Sequence, residues 1–458
     1  MKRINLLIAA IVIGYCNPAN AQSVNDDTEI TVTNEKGEKE TIELPGGMTC
    51  EFDSLLSEYH IKTYLKPDTT CNMPDINPVY DKEVYKERLS KMPTIIEMPY
   101  NDAVQQMIDR YSIKLRHSVS MMLGIQNFYM PIFEEALEAY GLPLELKYLP
   151  VVESALNPNA VSRVGATGLW QFMITTGKRY GLQINSLVDE RRDPVKSSYA
   201  AAHYLKDLYK IFGDWNLVIA AYNCGPDNIT KAMHRSKGET DYWQIYPYLP
   251  KETRGYVPAF IAANYIMTYY CDHNICPMRA DLPVKTDTVV VNRDVHFEQI
   301  ASVLNMDVSQ IKELNPQYRR DIVNGNSQAS AIRLPATLVS SFIDNEERIY
   351  AHNAEQLLSK RTEVEINKTA PVAATRRKST RRRRTTRAKT VTIRKGDTLS
   401  EIAERNNTTV SKLKRLNNIK GTNIHKMAGT VSALYFAGAC GNELWRSVAA
   451  CGGQGTGR

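Results

Sequence analysis

Glu153 is the only acid in the apolar run Tyr148-Leu-Pro-Val-Val-Glu-Ser-Ala-Leu156. A carboxylate set among Leu, Val and Pro is poorly solvated, so its pKa is expected to rise and it should hold a proton near neutral pH. That is the state a general acid needs before it protonates a leaving group. A lone Glu is more often a solvated or salt-bridged side chain, so its neighbours decide the reading. The next acidic residue in the chain is Asp189, and the segment between them is Gly-rich at Gly165-Ala-Thr-Gly-Leu-Trp-Gln-Phe172.

Four motifs stand in order around this acid. They are Glu153-Ser154 with Asn157-Pro158 and Ser162, then Gly168-Leu-Trp-Gln171, then Ala221-Tyr-Asn-Cys-Gly225, and finally Glu252-Thr-Arg-Gly-Tyr-Val257. Singly, each has a structural explanation. Tyr222 can be a core tyrosine with a bonded hydroxyl, Ser162 a turn former, Glu252 a surface acid and Trp170 a packing residue. Together they resemble the lytic murein transglycosylases of the lysozyme-like fold, nearest the membrane-bound lytic transglycosylase D branch, which carries Trp in the Gly-Leu-x-Gln motif and LysM modules at its C-terminus. The resemblance covers about 100–275.

The resemblance implies that Glu153 is the acid/base, at the end of a helix above a saccharide groove. It implies that Ser154 and Ser162 order the site and contact an acetamido group, and that Gln171 and the Gly168 turn shape the wall. Tyr222 and Asn223 would lie opposite Glu153, and Tyr256 would face the cleaved bond. Glycosidases ordinarily use two flanking carboxylates, and the family pattern supplies one. The implied reaction cleaves the β-1,4 bond between N-acetylmuramic acid and N-acetylglucosamine in peptidoglycan. Glu153 protonates the glycosidic oxygen, then takes the proton of the 6-hydroxyl as it closes onto C1, leaving a 1,6-anhydro end. Two other readings stay open: a lysozyme-type hydrolase of the same substrate, and a non-catalytic wall-binding protein.

The elements that must position these residues are helical. Val104, Met107, Ile108 and Tyr111 follow the spacing of one buried helix face. Asp193-Pro194 reads as an N-cap and first-turn proline, opening a helix with Tyr204, Leu205, Leu208 and Ile211 on one side. Asp214 caps the next helix. After 285 the pattern changes, and Gln299–Asn315 recurs at Glu401–Asn417. Each copy reads as strand, helix, helix, with strands at Thr288–Asn292 and Thr390–Arg394 and a closing strand in the first at Ala331–Leu334. The expected fold class is therefore α+β multidomain: a mainly α lysozyme-like catalytic domain over 98–280, then two small βααβ LysM-like modules at 285–345 and 390–425. The repeats resemble LysM modules, and the resemblance implies binding of N-acetylglucosamine-containing glycans. The second copy has the family's opening, Lys395-Gly-Asp-Thr-Leu-Ser400, whereas the first reads Arg293-Asp-Val-His-Phe-Glu298, which leaves its binding open.

The remaining segments read as connections and signals. Residues 1–21 form a secretory signal, with Lys2 and Arg3, a short apolar stretch and Ala19-Asn20-Ala21; Cys16 follows a bulky Tyr15, which favours plain export over lipidation. The expected location is the periplasm or cell envelope, with outer-membrane association left open. Residues 22–97 read as a loosely structured polar lead-in, with Ile30–Thr33 as a candidate strand. Residues 346–389 read as a linker. Its tract 376–389 holds nine basic and no acidic residues, more than the whole chain's net charge of +7, so the rest is near neutral and no nucleic-acid-binding surface is expected. That tract could attract a membrane or an anionic wall polymer, and a solvated spacer fits equally well. Residues 426–458 read as a frameshifted or foreign tail, with Val431–Phe436 as a substitute closing strand. Cys50 with Cys71, and Cys271 with Cys276, are candidate disulfides by proximity in the chain. No cysteine has metal-ligand spacing with histidine, and no metal or cofactor is expected.

Overall fold

The structure is a computed structural model that describes residues 28–34, 37–49, 65–280, 282–283 and 285–360, with 389–391, 399, 402–403, 410–411, 414 and 434–436 of the C-terminal unit. The signal, Cys16, Cys50, most of the basic linker and most of 392–458 lie outside the described residues. The chain divides into two units, 1–372 and 373–458.

The first unit opens with the strands β1 (Glu29–Thr33) and β2 (Lys39–Glu43), followed by a tight 3-10 turn at Gly46–Met48 and the short strand β3 (Leu65–Lys66). Helices α1 (Lys82–Lys91), α2 (Asp102–Asp109), α3 (Arg116–Tyr140), α4 (Leu149–Ser154) and α5 (Ile174–Arg179) come next. They are followed by α6 (Pro194–Phe212), α7 (Trp215–Cys224), α8 (Pro226–Arg235), α9 (Tyr242–Ile245) and α10 (Lys251–Tyr269). The helical expectation for 98–280 is met. Val104, Met107, Ile108 and Tyr111 are all buried. The Asp193 carboxylate accepts from the amides of Val195 and Lys196, and Asp214 accepts from that of Leu217, so both caps form as read. Leu205 and Leu208 are buried, but Ile211 is exposed, because the last turn of α6 runs past the core. Helix α10 is the spine: Tyr256 to Ile266 is buried without a break.

Where it is described, the lead-in is not loose. The β1–β2 hairpin pairs from Glu29 opposite Glu43 to Thr33 opposite Lys39. Its Val32 and Ile42, with Leu44 and Met48, join the core of the helical domain. The Asp102 carboxylate accepts from the Thr33 amide, Arg110 Nε donates to the Met48 carbonyl at 2.7 Å, and Arg254 pairs with Glu40. Alternation in this stretch is too short to stand out, and its burying partners on α2 and α10 are distant in the chain, 69 residues away at the Thr33–Asp102 bond and 214 at Glu40–Arg254.

The disulfide also differs from both expected pairs. Cys71 bonds Cys276, a separation of 205 residues, and Cys271 is free and exposed. Proximity in the chain misleads here because β3 pairs with β4 (Arg279–Ala280), which brings the flanks of Cys71 and Cys276 together.

Beyond it lies the first repeat, with β5 (Thr286–Val291), β6 (Asp294–His296), α11 (Phe297–Leu304), α12 (Val308–Leu314), β7 (Ile322–Asn324) and β8 (Ser330–Pro335). Strand β5 pairs antiparallel with β8, and β6 with β7. This confirms the expected first and closing strands and adds an inner pair. The module reaches past 345, because Phe342, Ile349 and Tyr350 pack into its core. It is also fused to the helical domain. Leu187 and Val188 belong to its core, the Asp189 amide donates to the Gln317 carbonyl, and the Arg319 amide to the Leu187 carbonyl, both at 2.8 Å. In the second unit, β9 (Lys389–Val391) pairs antiparallel with β10 (Leu434–Phe436), so part of the atypical tail supplies a strand to the second repeat. Leu399, Ile402 and Ala403 are buried there.

A covalent tie across 205 residues removes much unfolded-state freedom. Cys276→Ser is expected to lower unfolding free energy by about 3–5 kcal/mol, read from denaturant midpoints in oxidising buffer, with Cys271→Ser leaving it unchanged.

Candidate active site

Helix α4 ends directly after Glu153-Ser154. Ala155 and Leu156 turn the chain through two consecutive left-handed residues, with φ of 47° and 61°. Such conformations are unfavourable for residues with a Cβ and persist only where surroundings impose them. Here the Ala155 and Leu156 amides bond back to the carbonyls of Val151 and Pro150. The turn lets the helix stop with Glu153 half-buried at its edge.

Four segments then close a ring of hydrogen bonds. Ser154 Oγ is bonded to the carbonyls of Pro150 and Leu169, at 3.0 and 2.9 Å, which ties α4 to the Gly168–Gln171 turn. The Tyr222 hydroxyl donates to the Trp170 carbonyl at 2.8 Å, which brings α7 to the same turn. Thr253 Oγ1 donates to Asn223 Oδ1 at 2.8 Å, joining α10 to α7. The Tyr256 hydroxyl, one turn further along α10, donates to Glu153 Oε1 at 2.5 Å. Glu153, Tyr222, Asn223, Tyr256 and Gln171 are thereby brought around one place.

The two serines are placed differently. Ser154 has no exposed surface, so it orders the site and offers nothing to an acetamido group; this corrects the contact expected of it. Ser162 is half-buried. Its Oγ accepts from the Ala166 amide, and its backbone pairs with Ala166, so it shapes the turn that carries the wall. Gln171 sits at φ 46° and donates from Nε2 to the Gly168 carbonyl at 2.8 Å. Gly168, at φ 89°, has to be glycine, because a Cβ there would lie 1.8 Å from the Arg191 carbonyl oxygen. Trp170 is fully buried and donates to Ser198 Oγ, in keeping with the packing role.

Burial pushes the Glu153 carboxyl up to about 7; the Tyr256 hydrogen bond pulls it down, and the charge of Glu252 adds a smaller upward push. Burial, reinforced by the Glu153 charge, holds the Tyr256 hydroxyl well above its ordinary range, so it remains a donor. Tyr222 is raised for the same two reasons. Among the described residues no group of His, Cys, Asp and Glu could hold a metal.

Three supports were not read from the sequence. Gly47 lies against α4: a Cβ there would come 2.4 Å from the Val152 carbonyl oxygen, next to the Glu153 peptide. Arg191 is paired with Asp189 in a buried ion pair and donates to the carbonyls of Gly165 and Phe172, pinning both ends of the Gln171 turn. Thr253 orients Asn223. Pro45-Gly46-Gly47 reads only as a turn in sequence, and nothing in it points to Glu153.

Residues 130–245 match the family model described as "Transglycosylase SLT domain". These residues form a transglycosylase SLT domain. Residues 285–351 match "Lytic transglycosylase MltD, LysM-like domain" and 391–425 match "LysM domain". The chain is 28% identical over 331 residues to the membrane-bound lytic murein transglycosylase D of Escherichia coli K12, covering 71% of this chain and 68% of the relative. It is 33% identical over 124 residues to the soluble lytic murein transglycosylase of the same strain, covering 26% of this chain and 19% of that one. The crystal structure of the 70 kDa soluble lytic transglycosylase SLT70 from Escherichia coli matches with 29% identity and a TM-score of 0.28, over 31% of this chain and 24% of that one.

Two outcomes test the geometry. Tyr256→Phe removes the bond that favours the carboxylate, so the pKa of Glu153 rises and the alkaline limb of the rate profile is expected to move to higher pH. Gly47→Val is expected to cut kcat at least tenfold in an enzyme that still folds by circular dichroism, since α4 must shift to admit the side chain.

Proposed function

We propose that the chain is an exported peptidoglycan lytic transglycosylase that cleaves the N-acetylmuramic acid–N-acetylglucosamine β-1,4 bond and leaves 1,6-anhydro ends, with Glu153 acting first as acid and then as base. The observation that carries this reading is a single carboxyl, raised to about 7 and held by a tyrosine hydroxyl. Near neutral pH such a group is present in both protonation states. The protonated form serves departure of the glycosidic oxygen, and the carboxylate serves removal of the 6-hydroxyl proton as that oxygen closes onto C1. The substrate's own acetamido group stabilises the cationic centre, so no second carboxylate is required. Ser162, Gln171, Tyr222, Asn223 and Tyr256 line the substrate side of this site, and Ser154 holds it together. The two LysM-type modules bind N-acetylglucosamine-containing glycan, and the cell envelope is the place of action. Among the described residues no helix is long and apolar enough to cross a membrane.

Glu252 favours a second reading. It stands one helical turn before Tyr256 on α10 and its charge reaches Glu153. If it delivered a water, the enzyme would be a hydrolase with reducing-end products. Mass spectrometry of a sacculus digest separates the two: anhydro ends are expected, and hydrated ends would overturn the assignment. Glu153→Gln is expected to abolish cleavage, whereas Glu252→Gln should retain anhydro products. Because the folded pKa of Glu153 is raised, its ionisation opposes folding once pH exceeds the unfolded value. Glu153→Gln is therefore expected to stabilise the fold by about 3 kcal/mol at pH 8 and hardly at all at pH 4, measured by denaturant unfolding at both pH values.

A further inference from the structure

Away from Glu153, at the junction of the helical domain with the first LysM-like module, lie two adjoining depressions of about 590 and 280 Å³. They share Gly181, Leu182, Glu190 and Lys196 along their common edge. Neither is lined by a residue of the Glu153 ring. Their combined size is that of an ordinary small-molecule site, yet the lining is polar where such sites are usually apolar.

Its chemistry has three parts. In the smaller depression, Tyr140 stacks on His203 at 5.5 Å and Tyr180 meets the same ring edge-on at 5.2 Å, giving a fixed aromatic wall. The larger is lined by the side-chain amides of Gln183, Asn185 and Gln328, and Gln328 of the LysM-like module reaches across to Gln183 of the helical domain, Nε2 to Oε1 at 3.0 Å. Lys178 supplies positive charge, while the charge of Lys196 is taken up by Glu190. The one acid, Glu190, is buried, with one oxygen on Lys196 at 2.5 Å and the other accepting from the Gln183 amide at 2.7 Å, so it does not repel an anion. Aromatic faces suit the C–H faces of a sugar ring, amides suit hydroxyl and acetamido groups, and lysines suit a carboxylate.

We propose that the two depressions form one groove that binds a carboxylate-bearing glycan strand built of N-acetylated amino sugars, at a distance from the bond cut at Glu153. The inference rests on the peptidoglycan reading for the identity of the strand. The floor of the groove is the loop 182–190, whose Leu187 and Val188 are embedded in the LysM-like core. The next residue, Arg191, pins the Gln171 turn. A strand held here is gripped by both domains on the loop that fixes the catalytic wall.

The test uses the full chain carrying Lys178→Ala, His203→Ala and Gln328→Ala together, three side chains at the surface of the groove, with the thermal midpoint as a folding control. Binding of fluorescein-labelled glycan strands is measured in the Glu153→Gln background, so that it is independent of catalysis. The triple variant is expected to bind long strands about tenfold more weakly, the loss of two or three hydrogen bonds and a charge contact. In the active enzyme the same changes should raise KM on long strands and leave cleavage of a tetrasaccharide unchanged. Undiminished strand binding with a native midpoint would overturn the groove. If Lys178→Ala weakened a neutral N-acetylglucosamine oligomer as much as a muramyl strand, the carboxylate recognition would be overturned. Failure of the wild type to cleave either substrate, with the binding loss intact, would count against the reaction and not against the groove.

Discussion

The hydrogen bond from Tyr256 to Glu153 is the constraint on which the site depends. A carboxyl withdrawn from water loses ion solvation and drifts toward the neutral form. One strong donor returns part of what it lost. The result is a group balanced near pH 7 rather than locked in either state. That balance requires the donor oxygen to be held in place, and Tyr256 is held because α10 is buried along almost three turns around it. Thr253, one turn earlier on the same helix, fixes Asn223, and Tyr222 beside it fixes the Trp170 carbonyl. Each side chain in the ring is a strut for the next, so the residues that touch substrate in the proposed reaction are also those that define the cavity.

The ring would not close without pressure from outside it. Consecutive left-handed residues at Ala155 and Leu156, and another at Gln171, are conformations that local sequence does not favour. They are imposed by two buttresses. On one side the N-terminal hairpin brings Gly47 onto the Val152 carbonyl and the Glu43 carbonyl onto Gly255, both so close that a Cβ would not fit. On the other, the 182–191 loop brings Arg191 against Gly168, and is itself gripped by the LysM-like module. A module that looks like an appended binding unit is thus part of the scaffold of the candidate site's wall.

Sequence was informative where signals are local. The caps at Asp193 and Asp214, the buried face of α2, the strands β5 and β8 and the apolar setting of Glu153 all follow from side chains within a few positions of one another. It was uninformative where a short segment is given meaning by a distant one. The hairpin at 29–43 carries too few apolar residues to announce a core, and its partners lie on α2 and α10. The Cys71–Cys276 pairing follows from a two-residue strand contact that no periodicity marks. Ser154 was read as a residue of the site, but its type alone could not say that its hydroxyl faces carbonyls and not a ligand. The four motifs mark the residues of the candidate site; the buttresses that strain them carry no motif.

A single carboxyl that serves twice places a stricter demand on its surroundings than a pair with divided roles. With two groups, one environment can be apolar and the other wet, and the pKa values can be pushed apart. With one group, any stabilisation of the acid for the first step weakens the base of the second by the same amount, since both are the same proton equilibrium. The optimum is a pKa close to the working pH, which neither full burial nor full exposure provides. Burial opposed by one tyrosine hydroxyl provides it, and Glu252 offers a fine adjustment from the surface end of the same helix. On this argument Tyr256 is as necessary to the proposed chemistry as Glu153. Moving that hydroxyl by a fraction of an ångström would impair one half-reaction, whichever way the pKa then moved.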